Sequence, residues 1–179
     1  MKAMAVFPKE KAVRLVDHPE PKIARPTEVK LRMLEVGICG TDREICSFQY
    51  GTPPAGSDYL VLGHESLGEV VEVGPGVTRV RPGNLVVTMV RRPCPHAHCP
   101  ACQADRQDFC LTGDYQERGI KESHGFLTEL VVDDERRPRA GDPPGSLPLG
   151  VNFSQPRGTD RPKGRRGAVR ILSAVPRTT

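Results

Sequence analysis

Four cysteines, Cys94, Cys99, Cys102 and Cys110, fall in one short stretch with the spacing C-x4-C-x2-C-x7-C. Thiolates at such spacing can close a tetrahedron around zinc, at sulfur–metal distances near ~2.3 Å. With all four positions filled by protein no place is left for a substrate, so such a site is structural and orders a loop that has almost no apolar core. His96 offers a second solution, since H-x2-C-x2-C-x7-C also suits a tetrahedral site. All-cysteine closure is common in structural sites and favours Cys94 over His96. His98 reads as a bystander. A second constellation is more widely spread. Cys39 lies in Gly37-Ile38-Cys39-Gly40-Thr41-Asp42, and His64-Glu65 lies in Leu62-Gly63-His64-Glu65-Ser66-Leu67-Gly68. A thiolate, an imidazole and a carboxylate on separate loops suit a zinc with an open position, which acts as a Lewis acid on an alcohol oxygen. Spacing alone leaves the alternative open: a buried cysteine, a turn histidine and a surface glutamate that never meet.

The elements that must position these groups are short. Residues 2–7 and 11–16 read as two strands joined by a turn at Pro8-Lys9. Residues 28–36 alternate, with Val29, Leu31 and Met33 on one face and Lys30 and Arg32 on the other, the pattern of a half-buried strand. Gly37 to Gly40 turns the chain, and Thr41-Asp42 can cap a short helix reaching about Phe48. Residues 66–73 and 85–90 are Val-rich strands, and 126–132 a last one. Residues 93–113 form a Cys-rich lobe. Cys46 reads as a core residue of the short helix and His18 as a solvent-side loop residue. Gly37, Gly40, Gly63 and Gly68 sit where loops must bend around a metal. Many short strands with turn punctuation predict a mainly β, barrel-like domain over residues 1–136.

Composition agrees. Gly and Pro number 18 each and aromatics make up only 4% of the 179 residues, which favours turns and a core of Val, Leu, Ile and Ala. The formal charge of +4 divides unevenly: residues 1–136 carry 17 basic against 20 acidic side chains, residues 137–179 carry 9 against 2. The body thus lacks the basic face that nucleic acid would require. Neither a signal peptide nor a membrane span is expected, because the N-terminal apolar run ends at Pro8 and a span needs about 20 apolar residues. A cytoplasmic location follows, where clustered cysteines bind metal rather than pair as disulfides.

Gly63 to Val77, GHESLGEVVEVGPGV, matches the signature G-H-E-x2-G-x5-G-x2-V at every fixed position. With CGTD after a strand and the four-cysteine lobe in the same order, residues 1–136 resemble the zinc-dependent medium-chain alcohol/polyol dehydrogenases. The stretches Val90-Arg91-Arg92-Pro93, Arg106-Gln107-Asp108-Phe109-Cys110, Glu117-Arg118-Gly119-Ile120 and His124-Gly125-Phe126 are most similar to the glucose dehydrogenase branch. The resemblance implies a GroES-like barrel and a homo-oligomer. It implies a catalytic zinc on Cys39 and His64, with Glu65 as third ligand or as alternating partner of bound water. Cys94, Cys99, Cys102 and Cys110 would hold a structural zinc. It also implies that Thr41 hydrogen-bonds the substrate hydroxyl and starts a proton path, and that Glu117 contacts sugar hydroxyls. The implied reaction is oxidation of a sugar or polyol hydroxyl by hydride transfer to NAD(P), giving a lactone or ketone.

Members of that family continue with a Rossmann domain, whereas no G-x-G-x-x-G loop follows a strand in this sequence. No NAD(P) site is therefore expected, nor hydride transfer by this chain alone. From Arg137 the sequence turns to 7 Pro, 6 Gly and 9 basic residues in 43, read as a disordered tail and as the product of a reading-frame shift that truncates the enzyme. A zinc-ribbon-like nucleic-acid module with a basic tail is the competing class. It leaves the GHE signature unexplained and offers Phe153 as the tail's only aromatic for base stacking.

Overall fold

A computed structural model of the chain describes residues 1–135 and 151–152. The tail reading therefore falls outside the described residues, apart from Val151–Asn152. Strands β1 (Lys2–Phe7) and β2 (Ala12–Asp17) form the expected hairpin, with β2 one residue later than its alternation suggested. The short strand β4 (Leu60–Val61) pairs on the other side of β1.

The central sheet is built on β3 (Glu28–Gly37), which pairs antiparallel with β5 (Glu65–Val73) and with β10 (Leu130–Asp134). Strand β6 (Leu85–Thr88) extends it, and β11 (Val151–Asn152) pairs with β6. Val29, Leu31 and Met33 share the inner face, as alternation requires, and meet Val70, Val80, Val86, Val131 and Phe126 in the main core. A bulge between Met33 and Glu35 shifts the register of β3 on β5. Such bulges bend the strand and add twist, and here the shift sets Gly37 opposite Glu65.

Helix α1 (Gly40–Cys46) docks through Ile45 on a second core of Val6, Leu60, Leu62 and Ile120. Cys46 packs against its margin, as read. The third sheet is a rim of short strands, β7 (Arg91–Arg92), β8 (Gln116–Arg118) and β9 (Glu122–Ser123). The cysteine lobe between β7 and β8 holds a single turn of helix, α2 (Pro100–Gln103), and a 3-10 turn at Gln107–Phe109.

Three expectations need correction. The apolar run 126–132 does not form one strand. Phe126 is driven wholly into the core, and the N–H groups of Phe126 and Leu127 go to the carbonyls of Gly63 and Leu62, so the ladder begins only at Leu130. The helix is capped at Cys39 rather than by Thr41-Asp42, because Asp42 reaches back from the first turn to accept the Cys39 N–H at 2.9 Å. His18 is not a solvent-side residue. Its Nδ1 lies 2.8 Å from the Tyr59 hydroxyl, and its ring sits edge-on to His124, 5.0 Å between centroids. Among the described residues no helix is long and apolar enough to cross a membrane.

Candidate metal centres

Cys39 stands two residues past the end of β3 and His64 one residue before β5. Pairing of Gly37 with Glu65 therefore brings the two loops to the same place. The Cys39 Sγ lies 3.1 Å from His64 Nε2, and the ligand atoms of Cys39, His64 and Glu65 fall within 4.8 Å of one another. The three residues meet. Gly37 makes this possible, since a Cβ there would run into the Glu65 carboxylate.

Behind His64 stands Asp42, a residue that spacing suggested only as a cap. Its Oδ1 faces His64 Nδ1 at 3.5 Å, an ion-pair distance too long for a formed hydrogen bond, and neither atom has a hydrogen-bond partner. The carboxylate pushes the imidazole up to about 9 against the opposing effect of burial. Burial alone would raise the Asp42 carboxyl, but His64 and the Cys39 N–H outweigh it and hold the group lowered. A carboxylate on the far nitrogen of a histidine whose other nitrogen faces a thiol is the arrangement that orients metal-binding imidazoles. The sulfur, nitrogen and oxygen donors fit zinc, with three protein ligands leaving one position open.

The His64 loop is held from the rear by backbone alone. Gly63 has φ +89°, in the left-handed region, and its carbonyl accepts the Phe126 N–H at 2.9 Å. Gly125 passes so close that a Cβ would strike the carbonyl oxygens of Gly63 and Leu62.

In the lobe, the four sulfurs of Cys94, Cys99, Cys102 and Cys110 also lie within 4.8 Å of one another, the first three buried. Pro100 starts α2 immediately after Cys99, and one helical turn brings Cys102 beside it. The Cys94 N–H points at the Cys102 Sγ, 3.4 Å away. The Thr112 hydroxyl and the Thr112 and Gly113 N–H groups lower the Cys110 thiol to about 6, while burial pushes Cys102 up to about 12. An all-sulfur, closed donor set fits structural zinc. His96 is not part of this group. Its Nε2 is 2.5 Å from Asp114 Oδ2.

Thr41 lies in the first turn of α1, two residues after Cys39. Glu117 is 6% exposed on β8, and its Oε1 accepts from Arg91 Nε at 2.8 Å. The Arg91 guanidinium also covers the Tyr115 ring, 4.4 Å from its centroid, and reaches the Asp108 carbonyl. Arg91, noted in the sequence only within a similar stretch, thus proves to be the partner of Glu117. Pairing across two-residue strands carries no periodicity that would announce it.

Residues 25–138 match the family described as alcohol dehydrogenase GroES-like domain. The chain is 48% identical to a glucose 1-dehydrogenase of Methanocella arvoryzae over 134 residues, covering 74% of this chain and 37% of that protein. It is 47% identical to a glucose 1-dehydrogenase of Thermoproteus tenax over 135 residues, covering 75% of this chain and 37% of the relative. Among solved structures it resembles the Haloferax mediterranei glucose dehydrogenase in complex with NADP, zinc and gluconolactone. The TM-score is 0.67 and the identity 38%, over 75% of this chain and 37% of that one. The chain thus spans little more than a third of the length of these relatives.

Proposed function

Because this chain belongs to the alcohol dehydrogenase GroES-like domain family, we propose that residues 1–136 are the catalytic domain of a zinc-dependent sugar dehydrogenase acting on glucose or a related polyol. The observation that carries this reading is the convergence of Cys39, His64 and Glu65 on one point, beside Thr41 and apart from the closed four-cysteine set. Zinc held by Cys39, His64 and Glu65 would supply a Lewis acid that lowers the pKa of a hydroxyl brought to its open position. The protein's own groups do the rest. Asp42 fixes the ring of His64 so that Nε2 faces the site. Thr41 takes the hydrogen bond of the substrate hydroxyl and passes its proton toward solvent. Glu117, with one oxygen held by Arg91, offers the other to a sugar hydroxyl. Cys94, Cys99, Cys102 and Cys110 would hold a second zinc, which would order the lobe. Residues 1–135 contain no G-x-G-x-x-G loop of the kind that cradles a dinucleotide. The whole enzyme is proposed to be a cytoplasmic homo-oligomer producing a lactone.

Cobalt substitution tests the reading. The untagged chain is expected to hold two Co(II) tightly after dialysis, and glucose to perturb the visible band of the Cys39 site alone. Thr41→Val should abolish that perturbation and leave the metal content unchanged. A single bound Co(II), or a spectrum indifferent to glucose, would overturn it.

A further inference from the structure

Outside both candidate centres, His96, His98 and Asp114 stand near one another on the cysteine lobe, without the mutual approach within 4.8 Å that the ligand atoms of the two centres show. His96 and His98 lie two residues apart with ring centroids separated by 5.3 Å. The His96 Nε2 is already opposed by a carboxylate oxygen of Asp114, at 2.5 Å. Asp114 approaches from the other arm of the lobe, where its N–H bonds the Thr112 hydroxyl and Thr112 in turn contacts the Cys110 sulfur. The His96 loop is fixed as well, since its carbonyl accepts the Cys99 N–H at 3.2 Å. The framework that holds the four sulfurs therefore also holds His96 against Asp114. The His96 and Asp114 side chains are 36% and 61% exposed, so neither pays the desolvation that burial would impose. His98 is exposed too, and rotation of its side chain between staggered states moves its nitrogens without moving backbone.

We propose that His96, His98 and Asp114 form a second metal site on the lobe, one that takes an exchangeable divalent transition metal of the imidazole-binding class at the solvent side of the four-cysteine cluster. Two imidazoles and one carboxylate suit Zn(II), Ni(II) or Cu(II) and disfavour Mg(II) and Ca(II), which prefer oxygen donors throughout. With only three protein donors, water completes the coordination and the ion exchanges. The site uses the residue that competed with Cys94 on spacing grounds and gives it a different partner.

Titration of the untagged, zinc-loaded chain with Ni(II), followed calorimetrically and by paramagnetic broadening of backbone amides, tests the proposal. One further equivalent should bind, with broadening centred on residues 96–98 and 114. His98→Ala should weaken Ni(II) by at least roughly tenfold, as loss of a donor exceeds loss of an outer-shell partner. Asp114→Asn should act likewise, and in both variants the tightly held zinc should remain at its original content. Absence of a further equivalent overturns the proposal, as does binding that survives both substitutions or broadening centred on residues 39, 64 and 65. None of these readouts depends on sugar or on turnover, so the proposal stands or falls separately from the dehydrogenase reading.

Discussion

Asp42 works on two partners at once. One oxygen accepts the Cys39 N–H at 2.9 Å and the other faces His64 Nδ1 at 3.5 Å, so a single side chain couples the two halves of the candidate centre. An amide has one acceptor oxygen and cannot serve both. Asp42→Asn is therefore expected to weaken the metal bound at Cys39 and His64 by roughly 10- to 100-fold, with the four-cysteine metal retained. Competition against a chromophoric chelator reads both affinities in one titration. Residue types and spacing left Cys39, His64 and Glu65 undecided, the resemblance to the zinc-dependent dehydrogenases made them the candidate ligands, and the structure brings their ligand atoms together. Asp42 escaped because a carboxylate beside a turn reads first as a helix cap, and it does serve the cap, as the acceptor of the Cys39 N–H from the first turn. Its second role exists only once β5 is paired with β3.

At the scale of elements, the glycines behind His64 set the tolerance of the fold. A methyl at Gly125 would meet the carbonyl oxygens of Gly63 and Leu62, backbone atoms that cannot swing aside. Gly125→Ala should cost about 1–3 kcal/mol or more, seen as a lower urea midpoint. Gly40→Ala, at a position where a Cβ meets nothing within 4 Å, should leave the midpoint unchanged or raise it slightly. The longer elements were legible: β2 and β3 from alternation, β5 and β6 as Val-rich runs between turns, and β1 as a short apolar run ending at a turn, each within a few residues. Strands β4, β7, β8 and β9, each of two or three residues, were not. No pattern is measurable over so short a span, and such strands exist because a partner supplies their hydrogen bonds. Phe126 failed for the opposite reason. Its apolar neighbourhood looks like a strand, yet its side chain turns into the core of the central sheet.

At the scale of the whole molecule, an acid-sensitive joint and a closing bolt stand out among the described residues. At the joint, His124 Nδ1 accepts the Val61 N–H at 3.1 Å and its ring stacks on Tyr59. Burial, and then the nearby His18 and Arg118, push the imidazole down to about 4 from its ordinary 6.5. The unfolded chain takes up this proton first as pH falls. Stability from the neutral ring is thus complete above about pH 6.5 and declines toward pH 4. Denaturation midpoints of the zinc-loaded chain between these limits should fall less steeply in His124→Asn than in the parent. The bolt is Glu135, fully buried at the end of β10. Its carboxylate accepts the N–H groups of Thr78 at 2.9 Å, Val80 at 3.2 Å, and Arg79. Glu135→Gln leaves some of these donors unserved and should cost roughly 2–4 kcal/mol in a denaturant titration. This bolt also fixes an order in time. The three donors leave the ribosome 55 to 57 residues ahead of their acceptor. At about 5–20 residues per second the wait is roughly 3–11 s. Throughout that interval the 78–80 turn lacks the Glu135 carboxylate and β3 lacks β10 on its outer edge. The sheet closes at that edge and at the 78–80 turn together, when β10 and the carboxylate that follows it arrive.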